Sequence, residues 1–440
     1  MAKIQHVDER VYSGDISKKS WVPKAHPISW LMLLVTTLAM LLCSIDRQIL
    51  PTVLPDIMKD YKLNSVEAGF LNSLNFVGSF IGAILVGVLA DSLGGGYRRA
   101  WSWMGTCIIT AVAGIATFFS RGIGGLQFWR FIMGFGTGAM EPVNVALVSD
   151  FWHKENRGFA IGTHHTGLPI GQFVGPVLIG AILAVGTWRT TFLWIPIIGI
   201  IIMLLQVFVG TKKNEQRVYN WINQRNLTLP RDTNITVTKN PFKNAFEAIK
   251  NRNVMLGMSI NFLFLWTEMG AATFLTLQLT SNVGLSLAHA AVISGSSGIT
   301  GWIGQIVWGT VSDHLGRKFS LSILAVGSAV SVLGCIFIHS ATFAWVILII
   351  WGIFRNSPYP VVFSLAVDSS KKSAGAGLGI LIGVSLGLSG ALVTPVAGYF
   401  IEHFGWTWNY IMLSAFSFLA LIPIYLIRET AGEKASMKAE

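Results

Sequence analysis

Six ionisable side chains sit inside otherwise apolar blocks: Asp46, Arg47, Arg130, Glu141, Glu268 and Arg355. An ionisable group at the centre of a bilayer costs about 2.5–3.5 kcal/mol even on the gentlest scale, so each is a functional candidate. A guanidinium presents a planar fork that meets a carboxylate or phosphate with two parallel hydrogen bonds. Three such cations in a low-dielectric cavity predict an anionic substrate. Three carboxylates beside them can neutralise the empty site, and any of them could carry a proton. Proton uptake would then be coupled to anion binding through charge. Each Arg also has a plainer reading, an ion pair that only holds helices together. Arg130, near the outer end of its block, could instead reach for the interface.

Weaker candidates stand nearby. His164-His165 could relay a proton or donate a hydrogen bond to substrate, or either could be a packing residue. Consecutive helical positions point about 100° apart, so at most one of them faces a shared cavity. Trp266, Asn356 and Tyr359 flank Glu268 and Arg355 and read either as a cavity wall or as ordinary packing. The expected substrate contacts are therefore Arg47, Arg130, Arg355, His165, Asn356, Tyr359 and Trp266. The expected proton-linked pair is Asp46 and Glu141, with Glu268 behind them. Asp46 adjoins Arg47, so its charge would act directly on a bound anion. Glu141 lies roughly 16 Å along its helix from Arg130. With no other cation at its depth, it is expected to load and release a proton.

The elements that must position these groups follow from composition. The chain has 440 residues, 52% hydrophobic and 12% charged, where a soluble protein would carry about 25% charge. Its apolar residues come in blocks long enough to cross a hydrocarbon core of about 30 Å. Spans are predicted at 28–54, 67–91, 100–120, 126–150, 158–184 and 189–210, then at 253–280, 287–312, 320–340, 343–367, 373–400 and 406–427. The fold expected is an all-α integral membrane protein of 12 transmembrane helices in two pseudo-symmetric six-helix halves.

Charge sets the orientation. The net +11 invites a nucleic-acid reading, but 25 of the 32 Lys and Arg fall in segments on one side of the membrane. That bias makes the side cytoplasmic and places both termini there. The predicted organisation is a tail at 1–27, a half at 28–210, a cytoplasmic linker at 211–252, a half at 253–427 and a tail at 428–440. Residues 1–27 lack the apolar stretch of a signal peptide. The three cysteines fall inside apolar blocks and imply no disulfide framework. No phosphate loop, metal-ligand motif or nucleophile elbow occurs, so neither an enzyme nor a cofactor is expected.

The halves repeat one another. Glu141-Pro142-Val143 through Asp150 matches Tyr359-Pro360-Val361 through Asp368 at an offset of 218, and Trp188 matches Trp406 at the same offset. Gly87-Val-Leu-Ala-Asp91 matches Gly309-Thr-Val-Ser-Asp313 at 222. These are parallel repeats, the arrangement of transporters built from two halves around a central site.

Gly309 to Asp313 followed by His314-Leu-Gly316-Arg317-Lys318 resembles the loop signature of the major facilitator superfamily, with His314 where a base is usual. The first-half copy, Asp91 with Arg98 and Arg99, is looser. The resemblance covers nearly the whole chain. It implies alternating access and a central cavity lined by spans 1, 4, 7 and 10, the four that carry the six charges. The paired loops, with Asp91, Arg98, Arg99, Asp313, Arg317 and Lys318, read as a breakable cytoplasmic latch, or, for the basic residues alone, as ordinary topology signals. Asp46-Arg47 with Leu54-Pro55-Asp56-Ile57, and Arg130 with Pro142 and Asn144, resembles the anion:cation symporter branch. That likeness implies substrate binding at Arg47, a proton-linked Asp46 and an electrostatic role for Arg130. The branch commonly has a Glu where Thr137 stands; the carboxylate here is one turn further, at Glu141. Arg355 is also not expected from the branch, and a third cavity Arg would suit a second carboxylate, pointing toward dicarboxylates or aromatic acids over sugar acids. The function expected is proton-coupled uptake of a small organic anion, by a monomer in a bacterial inner membrane, with proton, anion and bilayer as its only partners. A drug or lipid exporter is the rival within transport, and a non-transporting sensor the rival outside it.

Overall fold

The computed structural model describes residues 23–153, 156–230, 250–369 and 374–431. The side chain of Asp91 lies outside this described set. In chain order the helices are α1 (Pro27–Tyr61), α2 (Ser65–Leu93), α3 (Tyr97–Phe119), α4 (Ile123–Asp150), α5 (Arg157–His165), α6 (Gly167–Val185), α7 (Trp188–Val209) and α8 (Lys212–Asn223). There follow α9 (Arg252–Ser281), α10 (Leu287–Ser294), α11 (Ser297–Leu315), α12 (Arg317–Gly334), α13 (Ala341–Arg355), α14 (Pro358–Ser369), α15 (Ala374–Leu419) and α16 (Leu421–Leu426). Ten stretches are long and apolar enough to cross a bilayer. One of them, Ile380–Leu426, turns at Gly405 with φ 80° and so makes two crossings. Span 8, made of α10 and α11, completes the twelve.

Helix ends follow local chemistry. His26 caps α1, its Nδ1 accepting from the Ile28 amide at 3.1 Å, and Pro27 occupies the first turn where its missing N–H is not needed. Four spans are broken within the membrane among the described residues, the last of them into α15 and α16 at Ala420. Span 5 divides into α5 and α6 at Thr166, span 8 into α10 and α11 at Gly295-Ser296, and span 10 into α13 and α14 at Asn356-Ser357. Pro358 disfavours helical backbone at Ser357, which explains the break of span 10. Irregular backbone at membrane depth is tolerated where protein or a cavity surrounds it, so the breaks mark the interior.

Burial separates central from peripheral helices. The apolar windows of α1, α4 and α9 are 61%, 67% and 72% buried, against 39% for α7. Peripheral helices present residues such as Ile108, Ile201 and Ile306 outward, as a lipid-facing surface requires.

The halves meet along α2 with α15, α6 with α10 and α11, and α1 with α9. Backbones touch closely: a Cβ on Gly69 would overlap the Thr394 carbonyl, and one on Gly398 the Ser65 carbonyl. Asn72 Nδ2 donates to Thr273 Oγ1 at 3.0 Å, Ser73 Oγ to the Ala391 carbonyl at 2.6 Å, and the Ser65 amide to Glu402 Oε2 at 3.1 Å. These bridges lie on the side of the membrane away from the termini. The molecule is therefore sealed on that side.

The segment after α7 is more than a tether. Residues 212–223 form α8, which buries Val218 and Ile222 against the first half. Trp221 of α8 sets its ring edge-on to His26, centroids 6.4 Å apart.

Candidate functional site

Asp46 and Arg47 are neighbours on α1, and the helix sends them to different places. Arg47 Nη2 reaches Glu141 Oε2 on α4 at 2.9 Å, with side-chain exposures of 16% and 8%. Glu141 therefore has a cation at its depth, contrary to the expectation from its distance to Arg130. The missing partner was on another helix, where spacing along α4 could not reveal it. His165, at the end of α5, lies within the field of Glu141 and is half-buried, whereas His164 is fully buried against Thr36 of α1. Of the two, His165 faces the charged group.

Asp46 looks the other way, into the interior of the first half. It lines a cavity of about 10 Å³ with Leu42, Cys107, Thr110, Met140 and Pro196, about the space one water needs. The cation acting most strongly on it is Arg130, followed by Arg47. Arg130 is 0% exposed. Its Nη1 points at Met133 Sδ at 3.3 Å and its guanidinium lies 5.9 Å from the Phe192 ring centroid. Nε and Nη2 have no partner among the described residues. Reaching for the interface is thus excluded, and Arg130 lies inside the first half, where its charge acts on Asp46.

The second half holds the other charge pair. Arg355 Nε donates to Glu268 Oε1 at 2.8 Å, and Arg355 Nη1 donates to Ser297 Oγ, also at 2.8 Å. The Arg355 guanidinium stacks 4.8 Å from the Trp351 centroid. Tyr359 donates its hydroxyl proton to Glu268 Oε2. The broken helices produce this geometry: Arg355 closes α13, where a cation is favoured by the helix dipole, Ser297 opens α11 and Tyr359 lies in the first turn of α14. With side-chain exposures of 3% and 4%, Arg355 and Glu268 are already satisfied by each other. Arg355 is accordingly not a free cavity cation.

A pair of amides bridges the halves at the same depth. Gln172 on α6 donates from Nε2 to Asn356 Oδ1 at 3.2 Å and to Glu268 Oε1 at 3.4 Å, while Asn356 Nδ2 donates to Gln172 Oε1 at 2.6 Å. Arg47 also acts electrostatically on Glu268 across the boundary. Trp266 does not join this group. It stacks on Phe416 at 4.5 Å and 9°, with its Nε1 toward Met412 Sδ, inside the core of the second half.

At the membrane face carrying the termini, the loop motifs form two matching ion pairs. Arg99 Nη1 meets Asp150 Oδ2 at 2.6 Å, and Arg317 Nη2 meets Asp368 Oδ2 at 3.3 Å. Both members stand at an offset of 218, so the repeat is written in the contacts as well as the letters. Arg317 Nη1 also contacts Asp313 Oδ1 at 2.5 Å. Lys318 Nζ instead donates to the Tyr425 carbonyl at 2.8 Å, and the exposed Arg98 donates from Nε to Tyr97 Oη at 3.2 Å. Neither is brought to an ion pair between spans among the described residues.

Sequence reasoning missed Gln172, Asp150, Asp368, Glu215 and Glu429 as site or latch members. The last two accept from the Tyr97 amide at 3.2 Å and the Arg317 amide at 2.7 Å, capping the helices that follow the two loops. The repeat offset already paired Asp150 with Asp368 and was the available signal. Gln172, an uncharged polar residue in an apolar span, gave a weaker one.

A family model described as the Major Facilitator Superfamily matches residues 36–393 and 257–440. A cis,cis-muconate transport protein of Acinetobacter baylyi is 25% identical over 397 residues, covering 89% of this chain and 92% of its own. A benzoate transport protein of the same organism is 22% identical over 431 residues, covering 92% and 91%. Among solved structures, a bacterial homologue of the human lysosomal transporter Spinster, inward-facing and unoccupied, superposes with a TM-score of 0.69 at 17% identity over 92% of this chain and 97% of its own. That likeness concerns the fold.

Proposed function

The chain belongs to the major facilitator superfamily, and from that premise we propose that it takes up a small organic carboxylate together with protons by alternating access. The observation that carries this reading is the partly exposed Arg47–Glu141 pair on the two most central helices of the first half. A substrate carboxylate and Glu141 are rivals for one guanidinium fork. Protonation of Glu141 removes the rival, frees Arg47 and keeps the net charge of the site unchanged when the anion arrives. Asp46, with Arg130 and a water-sized cavity behind it, is the second proton position, one helix face away from the substrate. The muconate and benzoate relatives support a carboxylate, aromatic or unsaturated, as the cargo. We place the protein in a bacterial inner membrane with both termini in the cytoplasm, sealed toward the outside in the state described, and active as a monomer.

Uptake of radiolabelled benzoate and muconate into proteoliposomes tests this. Saturable accumulation that rises with an inwardly directed pH gradient and collapses with an uncoupler is expected. Carboxylate flux indistinguishable from protein-free vesicles, across a panel of mono- and dicarboxylates, would overturn it. Efflux of an apolar cation driven by the opposite gradient would favour an exporter.

A further inference from the structure

The seam between α6 and the pair α10–α11 runs from the charged cluster toward the sealed side. Along it the backbones approach so closely that a Cβ on Gly298 would strike Phe173 N and the Pro169 carbonyl, and one on Gly180 would lie 3.1 Å from the Ala288 carbonyl. The Gln172–Asn356 amide pair lies beside the inner part of this seam, Asn356 being held to α11 by Gln305 Nε2, which donates to its carbonyl at 3.3 Å, and its members are 7% and 1% exposed. Opening the sealed side requires α6 to leave α10–α11, and hence requires this pair to break.

Amide pairs have two orientations, and here the choice is fixed from outside. A carboxylate can only accept hydrogen bonds. Glu268 Oε1, held by Arg355 Nε, therefore takes the NH₂ end of Gln172 and turns its carbonyl toward Asn356 Nδ2. The orientation of Gln172 dictates that of Asn356. The chain Arg355–Glu268–Gln172–Asn356 thus joins a charge in the substrate cluster to a bond across the two halves.

We propose that Gln172 is the positioning residue through which the carboxylate of Glu268 holds the outer seam shut. The proposal rests on the transport reading for its meaning, but its test does not depend on any substrate. Anything that withdraws Arg355 or Glu268 from the chain frees Gln172 to rotate, and the two amides no longer present complementary faces. The seam then opens more readily, so the cluster and the outer gate respond as one unit.

The test uses Ala291→Cys in the full chain in proteoliposomes. Ala291 is fully buried in the seam, its Cβ 3.6 Å from where a Cβ on Gly180 would stand, and the native cysteines are buried. The readout is the rate of labelling by a membrane-impermeant maleimide. Gln172→Ala and Asn356→Ala, each added to Ala291→Cys, should raise the rate about fivefold, because each removes complementary hydrogen bonds that only the closed seam makes. Glu268→Gln should raise it too, since a carboxamide can present either end. The exchange pair Gln172→Asn with Asn356→Gln should bring the rate back toward the parent. Parent-level labelling in Gln172→Ala and Glu268→Gln would overturn the proposal. Should Gln172→Ala fail to fold, Gln172→Asn alone must raise the rate, and an unchanged rate there is equally fatal. Carboxylate uptake by the parent is assayed separately, so a failure of the transport reading leaves the labelling result interpretable.

Discussion

Arg47 and Glu141 make opposite demands on a substitution. Arg47→Lys keeps the charge but replaces a planar fork by a point donor. We expect carboxylate affinity to fall about tenfold with the fold intact, measured by competition against labelled substrate; unchanged affinity would remove Arg47 from the site. Glu141→Gln leaves Arg47 without its rival and the site without that proton. Counterflow exchange should persist while gradient-driven accumulation falls to the level of equilibration, and wild-type accumulation would shift the coupling to Asp46 alone. The individual charges were legible in the sequence because a membrane makes each of them conspicuous. Their partners were not. Arg47–Glu141 and Arg355–Glu268 join different helices, and the azimuth that separates Asp46 from Arg47 depends on how α1 packs, which no spacing within α1 encodes.

At the scale of elements, the cap of α1 is a titratable contact outside the bilayer. Burial first, and then the neighbouring Arg217 and Arg225, hold the imidazole of His26 below its ordinary value. Trp221 packs edge-on against the His26 ring and, on its other contact, lies tilted against His153. Protonated Nδ1 cannot accept from the Ile28 amide. Because the folded value is depressed, the unfolded chain takes up the proton first as pH drops below about 6.5. Stability from this cap is thus complete above that pH and is lost as pH falls through the folded value. Thermal unfolding of wild type should weaken more between pH 7.5 and 5.5 than that of His26→Asn, which keeps an acceptor without a titration. Equal slopes would remove His26 from the acid response. The spans themselves were read closely from hydropathy, including the turn at Gly405 between the last two. The break of span 10 was foreshadowed by Pro358 and that of span 5 by Pro169, which cannot bond to the His165 carbonyl, whereas the break at Gly295-Ser296 carries no sequence mark stronger than a glycine. α8 escaped notice because it is a polar helix whose short apolar face only a docked partner explains.

For the whole molecule, alternating access requires the sealed side to part. Asn72 on α2 and Thr273 on α9 are hydrogen-bonded across that side. Replacing both with cysteine and bridging them with a bifunctional thiol reagent should abolish net uptake, with recovery on reduction when the bridge is a cleavable disulfide linker. Full uptake with the bridge in place would mean that the halves part elsewhere. The two halves also differ in how they hold their charges. The first carries Arg47 and Glu141 on the continuous helices α1 and α4, whereas the second carries Arg355, Ser297 and Tyr359 on helix ends beside the breaks. A pair fixed to two unbroken rods keeps its geometry, and substitution there is constrained on every side. A residue at a helix end can be re-aimed by one or two torsions without disturbing a ladder of hydrogen bonds. Adaptation to new cargo should therefore proceed at helix-end positions such as Ser297 and Tyr359, which can drift while Arg47 and Glu141 on the unbroken helices are held, a division of labour between an inherited engine and an adaptable rim.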